Sequence, residues 1–270
     1  MKLIIEPGRS ARNYWRDLWR YRELLYFLSW RDLAVRYKQT AIGVAWALVR
    51  TALTMLVFVM FRRFVGLQRT SVPDPILVLA AVLPWQFFAS ALTESSNSLV
   101  GNTNLISKVY FPRLIVPFAA VVTALADFAI TLAMLAALMI WYQFVPGWQL
   151  VFIPAFVLLT FALAMGAVLL LAALNVEYRD FRYVVPFIVQ FGLFASPIAF
   201  TTAQVPDRWR SIYALNPLVG IIDGFRWMII GDRVDVSPDA IVMSVGVTAV
   251  ILLLGVWYFR AMERHFADVI

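Results

Sequence analysis

Side chains that usually carry chemistry are scarce among these 270 residues, and each scarcity removes a class of function. There is no cysteine, so disulfides, thiolate metal sites and cysteine nucleophiles are excluded. The single histidine, His265, lies near the C-terminus and reads as a solvated tail residue. Alone it cannot build a histidine-based triad or a multi-histidine metal centre within one chain. The three lysines, Lys2, Lys38 and Lys108, never follow a glycine, so the phosphate-cradling G-x-x-x-x-G-K-[ST] loop is missing. Any ATP-driven step would need its nucleotide site on another polypeptide. Paired carboxylates offer no site either. Glu177 and Asp180 are embedded in the basic segment NVEYRDFR, and Asp232, Asp235 and Asp239 sit in loop-like sequence. A membrane glycosyl or lipid transferase would need two acids or a metal site facing one membrane surface.

Charge in unusual places remains. Arg50 and Asp127 each lie inside a long apolar run, where an ionised side chain is costly and raises a functional hypothesis. Counted at 1.5 Å per residue from the near ends of their runs, they sit roughly 13 Å and 20 Å deep, so a pair or a shared polar network is within reach. A structural ion pair joining two helices and the polar lining of a passage would both account for them. Glu94, near the end of its run, reads as interfacial.

The elements that position these charges follow from composition. Hydrophobic residues make up 62% of the chain and charged ones 14%, against roughly half and a quarter in soluble domains, so the excess apolar surface must face lipid. About 20 apolar residues cross a hydrocarbon core as a helix. Six segments qualify, at 42–61, 76–99, 114–141, 151–174, 184–200 and 240–259, the fifth short and carrying Pro186 and Pro197. The expected fold class is an all-α integral membrane protein, one transmembrane domain over 1–270 with six spans.

With residues 1–41 inside, fifteen of the 23 Lys and Arg fall on the cytoplasmic side and seven outside, as the positive-inside rule requires, and both termini are cytoplasmic. The first residues, MKLIIEPGRS, lack a continuous apolar stretch and a small-residue cleavage site, so no cleavable signal is read. The net charge of +7 lies beside the bilayer and points to anionic lipid rather than nucleic acid. Within 14–28, Tyr14, Leu18, Tyr21, Leu25 and Leu28 form one stripe at helical spacing, with Trp15 and Trp19 on its flank and Arg12, Arg16, Arg20 and Glu23 opposite. That pattern is an interfacial amphipathic helix. Residues 201–239 are too charged to cross and read as short helices at the outer face. A re-entrant hairpin there would line a passage.

Five blocks carry a resemblance over almost the whole chain: WRDLAVRYKQTAIGVAWAL at 30–48, VLPWQFFASAL at 82–92, SNSLVGNTNLISKVYFPRLIVPFA at 96–119, ALNVEYRDFRYVVPF at 173–187 and ALNPLVGIIDGFRWMIIG at 214–231. In these the chain resembles the permease subunits of the ATP-binding-cassette exporters that carry O-antigen, capsule, teichoic acid and related polysaccharides, the type-2 export family. The resemblance implies a homodimer of six-helix subunits around a central pathway and two separate ATPase subunits that bind the ATP. It also implies an inner gate at the amphipathic helix with Trp15, Trp19 and Tyr21, and a cytoplasmic coupling helix at 101–113. That segment's own chemistry agrees: Asn102 can cap, Pro112 stops the helix, and Asn104, Ser107 and Lys108 stand beside Leu105, Ile106 and Tyr110. Residues 35–40 and 177–182 are further patches for the ATPase. The family more often shows Gln-Pro where this chain has Arg50-Thr51, so no role for Arg50 is inherited. Sugar C–H faces stack on aromatic rings, which makes Phe58, Trp85, Phe87, Phe88, Phe194 and Phe200 candidate lining residues. The alternative, an ion-coupled secondary transporter, would use Asp127 and Arg50 as coupling groups, but the inverted repeats and midspan breaks of that class are not evident in the sequence.

Overall fold

In hydrocarbon every backbone N–H and C=O must find a partner within the protein, so the most apolar stretches form helix. The structure, a computed structural model, describes residues 10–38, 43–66, 72–178, 180–233, 236–263 and 266. Lys2, Asp235 and His265, singled out above, lie outside the described residues. Among the described residues five helices are long and apolar enough to cross a membrane: α3 (Val44–Phe64), α4 (Asp74–Ser95), α7 (Ile115–Trp141), α8 (Ile153–Glu177, extended backwards by a 3-10 turn) and α12 (Pro238–Met262). A sixth apolar helix, α9 (Phe181–Ala195), has 15 residues. The shorter elements are α1 (Ser10–Arg20), α2 (Arg22–Lys38), α5 (Ser98–Gly101), α6 (Thr103–Lys108), α10 (Asp207–Tyr213) and α11 (Pro217–Ile230). No strand occurs among the described residues.

Local sequence sets several of these starts. Asn216 accepts the Leu218 N–H at 3.1 Å and Pro217 opens α11, while α4 begins Asp-Pro and α12 begins at Pro238 after Ser237. α4 is the axis of the bundle. Ile76 to Leu83 are wholly buried there, enclosed by α3, α7, α8, α9 and α11. α12 packs on α8 through small residues: a Cβ on Gly255 would stand 2.2 Å from the Gly166 carbonyl oxygen, so only glycine lets the two backbones approach this closely. The apolar faces of α3 (Trp46, Leu53, Val57, Met60) and α12 (Val242, Leu253, Trp257) point away from the bundle.

Two elements differ from the sequence expectation. The single amphipathic helix over 14–28 is two helices with a break at Tyr21, and α2 does not lie flat beside the bundle. It runs along α7 in the same direction, from Ser29, whose hydroxyl donates to the Ala119 carbonyl at 3.5 Å, to Arg36 at Asp127. The expected stripe is nonetheless the inward face, with Tyr14 and Leu28 buried and Leu18, Tyr21 and Leu25 packed against the core. The fifth span is helical only as far as Ala195. Ser196 turns extended (φ −106°, ψ 150°), as the residue before a proline prefers, and Pro197 contributes no N–H. Residues Ser196 to Ala199 stay buried all the same. The second span, expected to reach 99, ends at Ser95, and α5 follows.

Candidate functional site

Three polar clusters stand out in this apolar bundle. The first joins α2, α3, α4 and α7. Arg36 Nη1 lies 2.7 Å from Asp127 Oδ2, the Tyr37 hydroxyl donates to Asp127 Oδ1 at 2.5 Å, and Arg36 also forms an ion pair with Glu94. Arg50 Nη2 is 3.8 Å from Asp127 and donates to Ser90 Oγ at 3.4 Å. Beside them Gln86 Oε1 accepts from Thr51 at 2.9 Å and from Thr131 at 3.3 Å. Two guanidiniums and two carboxylates balance, which lowers the cost of holding them at depth. Arg50 and Asp127 are therefore brought together, but the close partners of Asp127 are Arg36 and Tyr37, which the sequence assigned to the N-terminal segment before the spans. Glu94, read as interfacial, belongs to the same network. Arg50 keeps 54% of its side chain exposed, against 9% for Asp127.

The second cluster surrounds α6. Ile106 is buried and Leu105 packs against the core, whereas Asn104, Ser107, Lys108 and Tyr110 point outwards. This short helix is thus rooted on one side and presented on the other. Asn102 occupies the N-cap position without capping. Its amide donates to the Ser98 carbonyl at 2.8 Å, and its oxygen accepts from Arg31 Nη2 of α2 at 3.0 Å. The neighbouring Asn175 of α8 donates to the Ser96 carbonyl and to Asn97 Oδ1, each at 3.0 Å. Just beyond α12, Glu263 Oε1 accepts from the Arg113 backbone N–H at 2.9 Å and from the Tyr14 hydroxyl at 3.3 Å. Burial holds the Glu263 carboxyl above its ordinary range, with those two donors and the nearby Arg113 and Arg260 charges pulling it back. Burial, then the neighbouring Glu263 charge, pushes the Tyr14 hydroxyl up in turn. Of the expected gate residues, Trp19 is exposed, Tyr21 packs partly against the core, and the Trp15 side chain lies outside the described ones.

The third cluster is at the opposite end, where the fifth span breaks. Arg226 of α11 is fully buried and donates to the Phe200 and Ile198 carbonyls, each at 2.9 Å. Arg62, almost as buried, donates to the Ala199 carbonyl at 2.8 Å and stands 3.4 Å from Asp74. Asp223 lies 3.9 Å from Arg226. Three successive main-chain carbonyls, which a continued helix would have satisfied internally, are met by two guanidiniums instead. In the sequence both arginines fall among the seven positive charges assigned to the outer side, away from the spans. The available signal was an Asp and an Arg three residues apart in the apolar run GIIDGFRWMII, where both face inwards.

Four of the six aromatic candidates pack within the subunit. Phe58 and Phe88 are buried, the Phe87 ring meets Phe128 edge-on at 5.8 Å, and Trp85 is pressed against Gly192 of α9. Phe200 is half-buried, and Phe194 is exposed. Phe194 continues a row with Phe187 and Phe191, whose rings lie 4.2 Å apart on the outer face of α9 and which no sequence signal had marked. Among the described residues no group of three or more His, Asp or Glu converges as a metal ion would need.

The described residues thus form a polytopic helical bundle with a balanced ionic network at depth, a helix break at one end and a short helix presented at the other. The chain belongs to the ABC-2 type transporter membrane family, whose pattern it matches over residues 23–230. It is 29% identical over 258 residues to the O-antigen export system permease protein RfbA of Myxococcus xanthus, covering 94% of this chain and 97% of that one. It is 24% identical over 250 residues to an O-antigen export system permease protein RfbA of Klebsiella pneumoniae, covering 92% and 95%.

Proposed function

We propose that this chain is the membrane subunit of an ATP-driven exporter that moves a lipid-linked polysaccharide of O-antigen type across the bacterial cytoplasmic (inner) membrane, for lipopolysaccharide assembly. The observation that carries this reading is similarity running almost end to end to permeases of O-antigen export, not confined to one motif. Two copies of this chain work with two copies of a separate ATPase, which holds the nucleotide, so the subunit is a conduit rather than a catalyst. Both termini and α6 lie on the cytoplasmic side. Asn104, Ser107, Lys108 and Tyr110 form the face offered to the ATPase, and Leu105 and Ile106 carry its displacement into the bundle. The exposed row Phe187, Phe191 and Phe194 offers ring faces to the C–H surfaces of a passing sugar chain, with membrane lipid or the second copy covering the remaining apolar flanks.

Deleting the chain from its host is expected to leave completed glycan on the inner leaflet, unreachable by an external lectin. Supplying it again together with its P-loop partner is expected to restore surface glycan. Normal surface glycan in the deletion strain would refute the assignment.

A further inference from the structure

Three parts of the chain that are remote in sequence meet at Glu263. Arg113 comes from the stretch joining α6 to α7, Tyr14 from α1, and Glu263 itself follows α12. Besides the two bonds to the carboxylate, the Glu263 carbonyl accepts from Arg113 Nη1 at 2.5 Å. Aromatic contacts close the joint: the Arg260 guanidinium stands 4.9 Å from the Tyr14 ring, and Phe266 packs edge-on against Phe259 at 5.4 Å with Arg113 at 5.9 Å from its ring. At the other end of α6, Arg31 of α2 holds Asn102. The short helix is therefore fastened to the N-terminal helices on both sides, directly to α2 before it and through Glu263 to α1 after it.

A half-buried carboxylate that accepts donors from two elements makes a stiff joint. Pulling α6 away from α1 would leave partly buried polar groups without their partners, so the two move together or the joint breaks at a cost. Arg31 and Glu263 grip different helices, so α6 cannot simply pivot about one end. We propose that Glu263 is a positioning residue that transmits displacement of α6 to α1, making α6 and the N-terminal helices one moving body during transport. The inference rests on the export reading above. Glu263 touches neither nucleotide nor glycan in this scheme; it sets how much of each ATPase movement reaches the N-terminal helices.

The test reconstitutes the full permease–ATPase complex in proteoliposomes and measures glycan exported per ATP hydrolysed. Glu263→Ala is expected to lower that ratio about tenfold while ATP hydrolysis stays near wild type. Glu263→Gln keeps an oxygen that accepts from both donors, and it is expected to recover most of the ratio. Tyr14→Phe takes the α1 hydroxyl out of the joint and leaves the Arg113–Glu263 bonds in place; it is expected to lower the ratio by a smaller factor, and it decides the matter if Glu263→Ala does not assemble. An unchanged ratio in Tyr14→Phe, or equal loss of export and hydrolysis in Glu263→Ala that Gln does not rescue, overturns the proposal. A wild-type complex that exports nothing on ATP would instead refute the export reading.

Discussion

The network at depth and the break in the fifth span use arginine in opposite ways. In the network at depth, Arg36 of α2 and Arg50 of α3 meet side chains, Asp127 of α7 and Glu94 and Ser90 of α4. At the chain break, Arg62 and Arg226 meet the backbone, three carbonyls within Ile198 to Phe200. Side-chain partners can be exchanged as helices slide, because one guanidinium can leave a carboxylate while another remains. Backbone carbonyls have no substitute donor in a proline-broken segment, so the arginines there act as missing hydrogen bonds of the fold. The network is built to be re-paired and the break to be held.

Substitutions that separate these roles should differ sharply. Arg226→Ala leaves two buried carbonyls and Asp223 unmatched, and the expected loss is about 3–5 kcal/mol, seen as a collapse of the melting temperature of the detergent-solubilised protein. Arg226→Lys is expected to recover little, since one ammonium on a flexible stem cannot hold two carbonyls in the planar fork that a guanidinium provides. Asp127→Ala comes next, at about 2 kcal/mol by the same melt, because Tyr37 loses its acceptor while Arg36 keeps Glu94. Arg50→Gln is expected to cost less than about 1 kcal/mol, its side chain being half exposed and its ionic contact long. If Arg50→Gln melted lower than Arg226→Ala, the contrast between the two clusters would be wrong.

The long helices were legible in the sequence because lipid forces apolar runs into helix, and the inward stripe Tyr14, Leu18, Tyr21, Leu25, Leu28 was legible because helical periodicity survives whatever the helix packs against. The pairing of Arg50 with Asp127 was half legible. Depth along two helices can be counted residue by residue, but the course of α2 depends on packing against α7, so Arg36 and Tyr37 could not be placed. Arg226 was hidden for a related reason: a charge counted into a loop looks solvated until the turn after Pro197 brings carbonyls to it. Glu263 gave no local signal, since its meaning arises from residues some 150 and 249 positions away.

ATP dependence distinguishes an ABC exporter from an ion-driven carrier working through Asp127 and Arg50. The direct measurement is translocation of a lipid-linked glycan in proteoliposomes containing this chain, with and without its ATPase, under ATP or under an imposed proton gradient. Export that requires both the ATPase and ATP is the expected result. Export driven by the gradient with the ATPase left out would contradict it.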